Sequence, residues 1–132
     1  VGLVSFDVIC SPDGWWLLSA DPRPSAALDV LDVAPLPPLL ALHLAACGGK
    51  LPQALPAHAA VTATGLLYAD RDVIIPAMDW PEGVHDRNAA GTLIAEGGII
   101  CSARATGPTF EAARAGVEQR LAAVRRLTGL AA

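Results

Sequence analysis

Gly2–Asp32 reads GLVSFDVICSPDGWWLLSADPRPSAALDVLD. Val1–Cys10 alternates around Leu3, Ser5 and Asp7 with β-branched and aromatic residues, the pattern of a strand. Ser11-Pro12-Asp13-Gly14 is a hairpin-type turn signal. Trp15–Ala20 reads as the returning strand, so the two form an antiparallel hairpin. Asp21-Pro22-Arg23-Pro24 breaks it. Ser25 then caps a short helix, Ala26–Asp32, with Leu28 and Leu31 inward.

Working outward, Pro35, Pro37 and Pro38 allow a helix start. Leu39–Cys47 continues it, and Gly48-Gly49 stops it. Lys50–His58 is a proline-containing connector. Ala59–Ala69 and Asp72–Pro76 read as strands around an Asp70-Arg71 turn, and Met78–Thr92 as an irregular loop. Glu96-Gly97-Gly98 turns a short strand into the strand Ile99–Ala105. Thr109 caps a last helix, Phe110–Thr128, which ends at Gly129. Its apolar positions, Phe110, Ala113, Val117, Leu121, Val124 and Leu127, keep the helical period. Hairpin, helices, antiparallel strands and a terminal helix make the chain α+β.

The 132 residues are 53% hydrophobic and only 17% charged, with a mean hydropathy of +0.45. This excludes intrinsic disorder, because enough apolar surface is present to offset chain entropy. Three cysteines exclude a disulfide scaffold. Soluble domains carry about 25% charged residues, so part of this apolar surface is expected to be covered by something else. Val1 opening straight into a strand pattern points to a piece of a longer polypeptide.

A net charge of −4 argues against a general nucleic-acid binder, which shows a basic patch. Arg104, Arg114, Arg120, Arg125 and Arg126 mostly belong to the last helix and read as its solvated face rather than an anion site. The longest uncharged stretches, Val33–Gly49 and Leu51–Ala69, are broken by proline, so no membrane span is expected. Val1–Cys10 lacks the basic start of a signal peptide. Cys10, Cys47 and Cys101 are read as buried, reduced thiols of a cytoplasmic protein.

The hairpin carries the chemistry. Asp7 lies on one strand, with Ser19 and Asp21 at the end of the next. The two carboxylates can face one spot and suit a hard cation such as Mg²⁺, completed by phosphate oxygens. Arg23 follows and suits a phosphate or carboxylate through a bidentate fork. The plainer alternative makes Asp21-Pro22 an ordinary turn and Asp7 a half-exposed strand residue. His43 and His58 read as structural or surface residues. His85 stands between Glu82 and Asp86, where a carboxylate neighbour suits an acid–base role. Its loop, with Trp80, reads as a lid or partner surface. Neither Gly97-Gly98 nor Gly48-Gly49 has the fuller phosphate-loop pattern, and no serine sits in a nucleophile elbow.

The same residues resemble the end of the ATP-grasp domain of carboxylate–amine ligases. There an Asp on one strand is followed by a return strand ending Glu-x-Asn-Pro-Arg. The matching positions here are Asp7, then Ser19, Asp21, Pro22 and Arg23. The rest resembles the predicted ATP-dependent carboligases of that superfamily, through Tyr68-Ala69, Val73–Pro76, Trp80-Pro81, Asp86-Arg87, Gly91-Thr92 and Cys101-Ser102. The resemblance implies residues 1–50 as the end of the catalytic domain and 51–132 as a small β-rich subdomain with a terminal helix. It implies Asp7 and Asp21 as Mg²⁺ ligands, with Ser19 as a weaker third group. Arg23 would hold the ATP phosphate or the substrate carboxylate. Ser19 and Asp21 depart from the family's Glu and Asn. The family's lysines, adenine pocket and Gly-rich loop have no counterpart here.

The function expected is therefore the C-terminal portion of an ADP-forming ligase that activates a small carboxylate as an acyl phosphate. Its partner would be the N-terminal half of the domain or another copy of the chain. The alternative is a non-catalytic remnant serving in assembly.

Overall fold

The computed structural model describes residues 2–23, 25 and 27–130. Val1, Pro24 and Ala26, expected in the first strand, the loop and the short helix, lie outside them. The chain divides into two compact units, one up to His58 and one from Ala59. The fold is mixed α+β with antiparallel sheets and a terminal helix.

In the first unit, β1 (Ser5–Ser11) and β2 (Gly14–Asp21) pair as an antiparallel hairpin. Gly14 sits at φ 141, a conformation open to glycine and strained for other residues. The ladder ends at Ser5 opposite Asp21 rather than continuing back through Gly2–Val4. Pro22 comes next and has no N–H to extend it. The Leu3 N–H instead donates to Nδ1 of His43 at 3.0 Å.

The short helix narrows to α1 (Leu28–Leu31). Ser25 does stand at its start, accepting from the Ala27 N–H at 3.3 Å. Leu28 is half-buried, but Leu31, expected inward, is exposed. One turn of helix covers too little to bury both. Asp32 caps the next helix, α2 (Leu39–Cys47), by accepting from the Leu39 N–H at 2.9 Å. The Gly49 and Lys50 N–H groups close on the carbonyls of Ala46 and Ala45, which is a Schellman ending.

In the second unit the strands are β3 (Val61–Tyr68), β4 (Val73–Ile74), β5 (Val84–His85), β6 (Leu93–Ile94) and β7 (Ile99–Gly107). β7 lies between β3 and β5, and β4 pairs with β6. The stretch Met78–Thr92, read as wholly irregular, thus contributes β5. Val84 is buried and faces Ala103, and His85 faces Ser102.

Helix α3 (Phe110–Thr128) has the expected bounds. The Thr109 side chain accepts from the Ala112 N–H at 3.2 Å, and Gly129 ends the helix at φ 68. Ala113, Val117 and Val124 are buried. Phe110 and Leu127, expected on the same stripe, are exposed. Phe110 opens the helix where the sheet has already ended at Gly107. At 3.6 residues per turn Leu127 falls outside the arc of Val117 and Val124. Thr128 takes the inward place, its hydroxyl donating to the Val124 carbonyl at 2.9 Å.

Small residues let α3 approach the sheet. A Cβ at Gly65 would lie 2.9 Å from Cγ1 of Val117, and one at Gly116 would lie 2.8 Å from Cβ of Ala105. Leu67, Ile75, Ile100, Cys101 and Val124 complete a core that lies within this unit.

Gly65→Ala should therefore overpack the helix–sheet contact and destabilise the second unit by about 1–3 kcal/mol. A lower urea midpoint at unchanged slope is the expected readout.

Candidate functional site

The geometry of the candidate site begins with a break in the ladder. From the turn, Ser11 faces Gly14, Cys10 faces Trp15, Ile9 faces Trp16 and Val8 faces Leu17. The next pair is Asp7 with Ser19. Leu18 is thus the extra residue of a β-bulge. Continued without it, the ladder would set Asp7 opposite Leu18 and Ser19 opposite Phe6. Asp7 would then project from one face while Ser19 and Asp21 projected from the other. The bulge places Ser5, Asp7, Ser19 and Asp21 on one face.

Hydrogen bonds follow from that placement. The Ser19 hydroxyl donates to Oδ2 of Asp7 at 2.6 Å. The Ser5 hydroxyl donates to the Arg23 carbonyl at 3.3 Å. Asp21 receives Arg23 in a fork, Nε to Oδ1 at 2.9 Å and Nη2 to Oδ2 at 2.8 Å. The Arg23 backbone N–H also donates to Oδ1, at 3.1 Å. Asp21 is thereby held below the ordinary carboxylate value, first by the Arg23 side chain, and Asp21 raises Arg23 in return. Both groups are open to solvent, so the pair orients the loop more than it stabilises the fold.

The four expected site residues, Asp7, Ser19, Asp21 and Arg23, are therefore gathered on the hairpin and its exit. Their donor set is two carboxylates and a hydroxyl. Among the described residues no group of three or more His, Cys, Asp or Glu side chains is placed to hold a metal. Oxygen donors suit a hard divalent cation that completes its shell with phosphate and water. Oδ1 of Asp7 is left open by the Ser19 bond, whereas both Asp21 oxygens face Arg23. Ser5 was not singled out from the sequence. Its spacing of two from Asp7 was the available signal, since a strand returns to one face every second residue.

Of the histidines, His43 is engaged within the first unit. His43 accepts from Leu3 through Nδ1 and lies 3.7 Å from the Cys47 sulfur through Nε2. His58 is exposed in the connector, and His85 is exposed on β5. The loop before β5 is pinned rather than lid-like. Trp80 packs against the core, Arg120 donates to the Glu82 carbonyl at 2.9 Å, and the Arg104 N–H donates to the Gly83 carbonyl at 2.8 Å. Asp86, at φ 49, accepts the Ser102 hydroxyl at 2.5 Å. Asn88 donates to the Ile99 and Ile100 carbonyls.

The arginines of α3 are largely engaged locally. Arg114 pairs with Glu118 at 2.7 Å, and Arg125 lies 3.7 Å from Asp70. None of the three thiols is in a disulfide; Cys101 alone is buried, while Cys10 and Cys47 are exposed. Cys10 lies on the uncovered hairpin and Cys47 at the end of a short helix. Burial, aided by Asp86, pushes the Cys101 thiol up to about 11, so it is not a thiolate at neutral pH.

Compared with family models, with curated proteins and with solved structures, the chain has no match.

Because Arg23 lowers Asp21, their mutual support is present above the ordinary carboxylate value and fades as pH falls through the lowered one. Arg23→Ala should raise the Asp21 titration midpoint toward its ordinary value of 3.8. A carboxyl-carbon NMR titration reads this directly, and an unmoved midpoint would mean that the fork is absent in solution.

Proposed function

We propose that this hairpin is the cation- and phosphate-handling edge of an ATP-dependent carboxylate ligase of the ATP-grasp kind. The observation that supports it is the convergence of Asp7, Ser19, Asp21 and Arg23 on one side of two neighbouring strands. In that reaction a carboxylate oxygen attacks the terminal phosphorus of ATP and ADP leaves. An amine then displaces phosphate from the acyl phosphate.

Asp7, with Asp21, would hold Mg²⁺, which supplies positive charge opposite the phosphate oxygens. Ser19 orients Asp7 by donating to one of its oxygens, and so acts on a ligand in the place where the family carries a carboxylate. Arg23 retains N–H donors beyond those given to Asp21. It is suited to the developing charge on the transferred group or to the substrate carboxylate. The adenine pocket is assigned to a further segment or a partner chain, since these residues contain no phosphate-contacting lysine or Gly-rich loop.

One observation favours a second reading, an assembly module without catalysis. The opposite face of the hairpin presents Phe6, Val8, Trp15 and Leu17 uncovered, with Trp15 69% exposed. Such a face is suited to contact with another surface.

ADP release by the protein joined to its nucleotide-binding part separates the two. Asp7→Ala and Asp21→Ala should each reduce the rate by roughly 10²-fold, the scale of losing one preorganised electrostatic group. Rates untouched by both substitutions would reject the site, and a joined protein that releases no ADP would favour assembly.

A further inference from the structure

A hollow of about 570 Å³ opens beside the polar side of the hairpin. Its polar members are Ser5 and Asp7 of β1, with Arg23 and Ser25 of the segment that follows β2. Its apolar members include Leu28 and Leu31 of α1, Leu36, Leu39 at the start of α2, and Leu55 of the connector. We propose that it takes a carboxylic acid with an aliphatic chain, the carboxylate at Arg23 and the chain along the leucines. This names the substrate class of the ligase reading and rests on it.

Three features carry the assignment. The volume lies in the range of small-ligand sites, which are mostly apolar with a few placed polar groups. Here leucines supply most of the apolar part, and among the described residues no charged side chain other than Asp7 and Arg23 lines the hollow. Arg23 has capacity to spare: a guanidinium carries five N–H donors, and Asp21 engages Nε and Nη2. The Asp21 fork also fixes the plane of the guanidinium, which reduces the ordering cost of a second carboxylate.

Charge sets a condition on binding. Two carboxylates, Asp7 and Asp21, against one guanidinium leave a single net negative charge around the polar end. An incoming carboxylate adds to it, so a divalent cation at Asp7 should strengthen binding.

The test is isothermal titration of the 132-residue chain with octanoate, acetate and octylamine, with and without Mg²⁺. Octanoate should bind roughly 100-fold more tightly than acetate, since its six additional methylenes are partly covered by the leucines, and more tightly still with Mg²⁺. Arg23→Ala should weaken octanoate at least tenfold, and so should Leu55→Glu. Leu55 is exposed, so its replacement leaves the folded unit intact.

Octanoate binding no better than acetate would overturn the proposal. So would octylamine binding more tightly than octanoate with Mg²⁺ present, or affinity indifferent to both substitutions. The ligase reading fails separately. Octanoate bound as described, with no octanoate-dependent ADP release by the joined protein, supports the hollow and contradicts the ligase. ADP release driven by polar acids, with no octanoate binding, does the reverse.

Discussion

One extra residue, Leu18, decides which side chains share the polar face of the hairpin. Strand side chains alternate strictly, so a shift of one position exchanges the two faces. The turn at Pro12-Asp13 fixes the register as far as Val8 opposite Leu17, and the bulge then resets it. Everything chemical in the first unit follows. Asp7 meets Ser19, Asp21 stands diagonally across, and Ser5 ties the Arg23 carbonyl that follows Pro22. The other face becomes wholly apolar, with Phe6, Val8, Cys10, Trp15 and Leu17. The bulged residue is exposed, so the shift costs little packing.

The two units differ in how they bury what they have. In the second, α3 lies against β3 and β7 through glycines and alanines, and larger side chains fill the space around them. In the first, Leu39 and Ala46 are the hydrophobic side chains that reach full burial among the described residues. A two-stranded hairpin is marginal by itself. The high hydrophobic fraction of the chain is therefore not spread evenly: its uncovered part concentrates on β1, β2 and α2, where Phe6, Trp15, Leu40 and Leu44 are all exposed.

Much of this was legible from local signals. Thr109 and Gly129 bracket α3 at the residues where capping chemistry places its ends. Gly48-Gly49 closes α2, and the Ser-Pro-Asp-Gly turn locates the hairpin. The failures share one cause, dependence on long-range partners. Val84 and His85 look like loop because two residues carry no period, yet β7 makes them a strand. Leu31 and Leu127 look inward by period, but burial depends on what stands opposite. Cys10 and Cys47 look buried by residue type, but the small interior of the first unit, at Leu39 and Ala46, does not reach them. The convergence of Asp7 with Asp21 was expected from adjacency of strands alone. It arises through a bulge that no residue type in Leu17–Ser19 announces. Of the leucine-lined hollow, the sequence marks Arg23, Leu28 and Leu31 singly, but nothing in it joins them to segments as distant as Leu55.

The register of the hairpin is the point on which the site stands, and it can be read directly in solution. Cross-strand nuclear Overhauser contacts in the isotope-labelled chain should link the backbone of Asp7 to Ser19 and that of Val8 to Leu17, with Leu18 unpaired. Contacts linking Asp7 to Leu18 and Phe6 to Ser19 would describe an unbulged ladder. They would separate Asp7 from Ser19 and Asp21 and contradict the account.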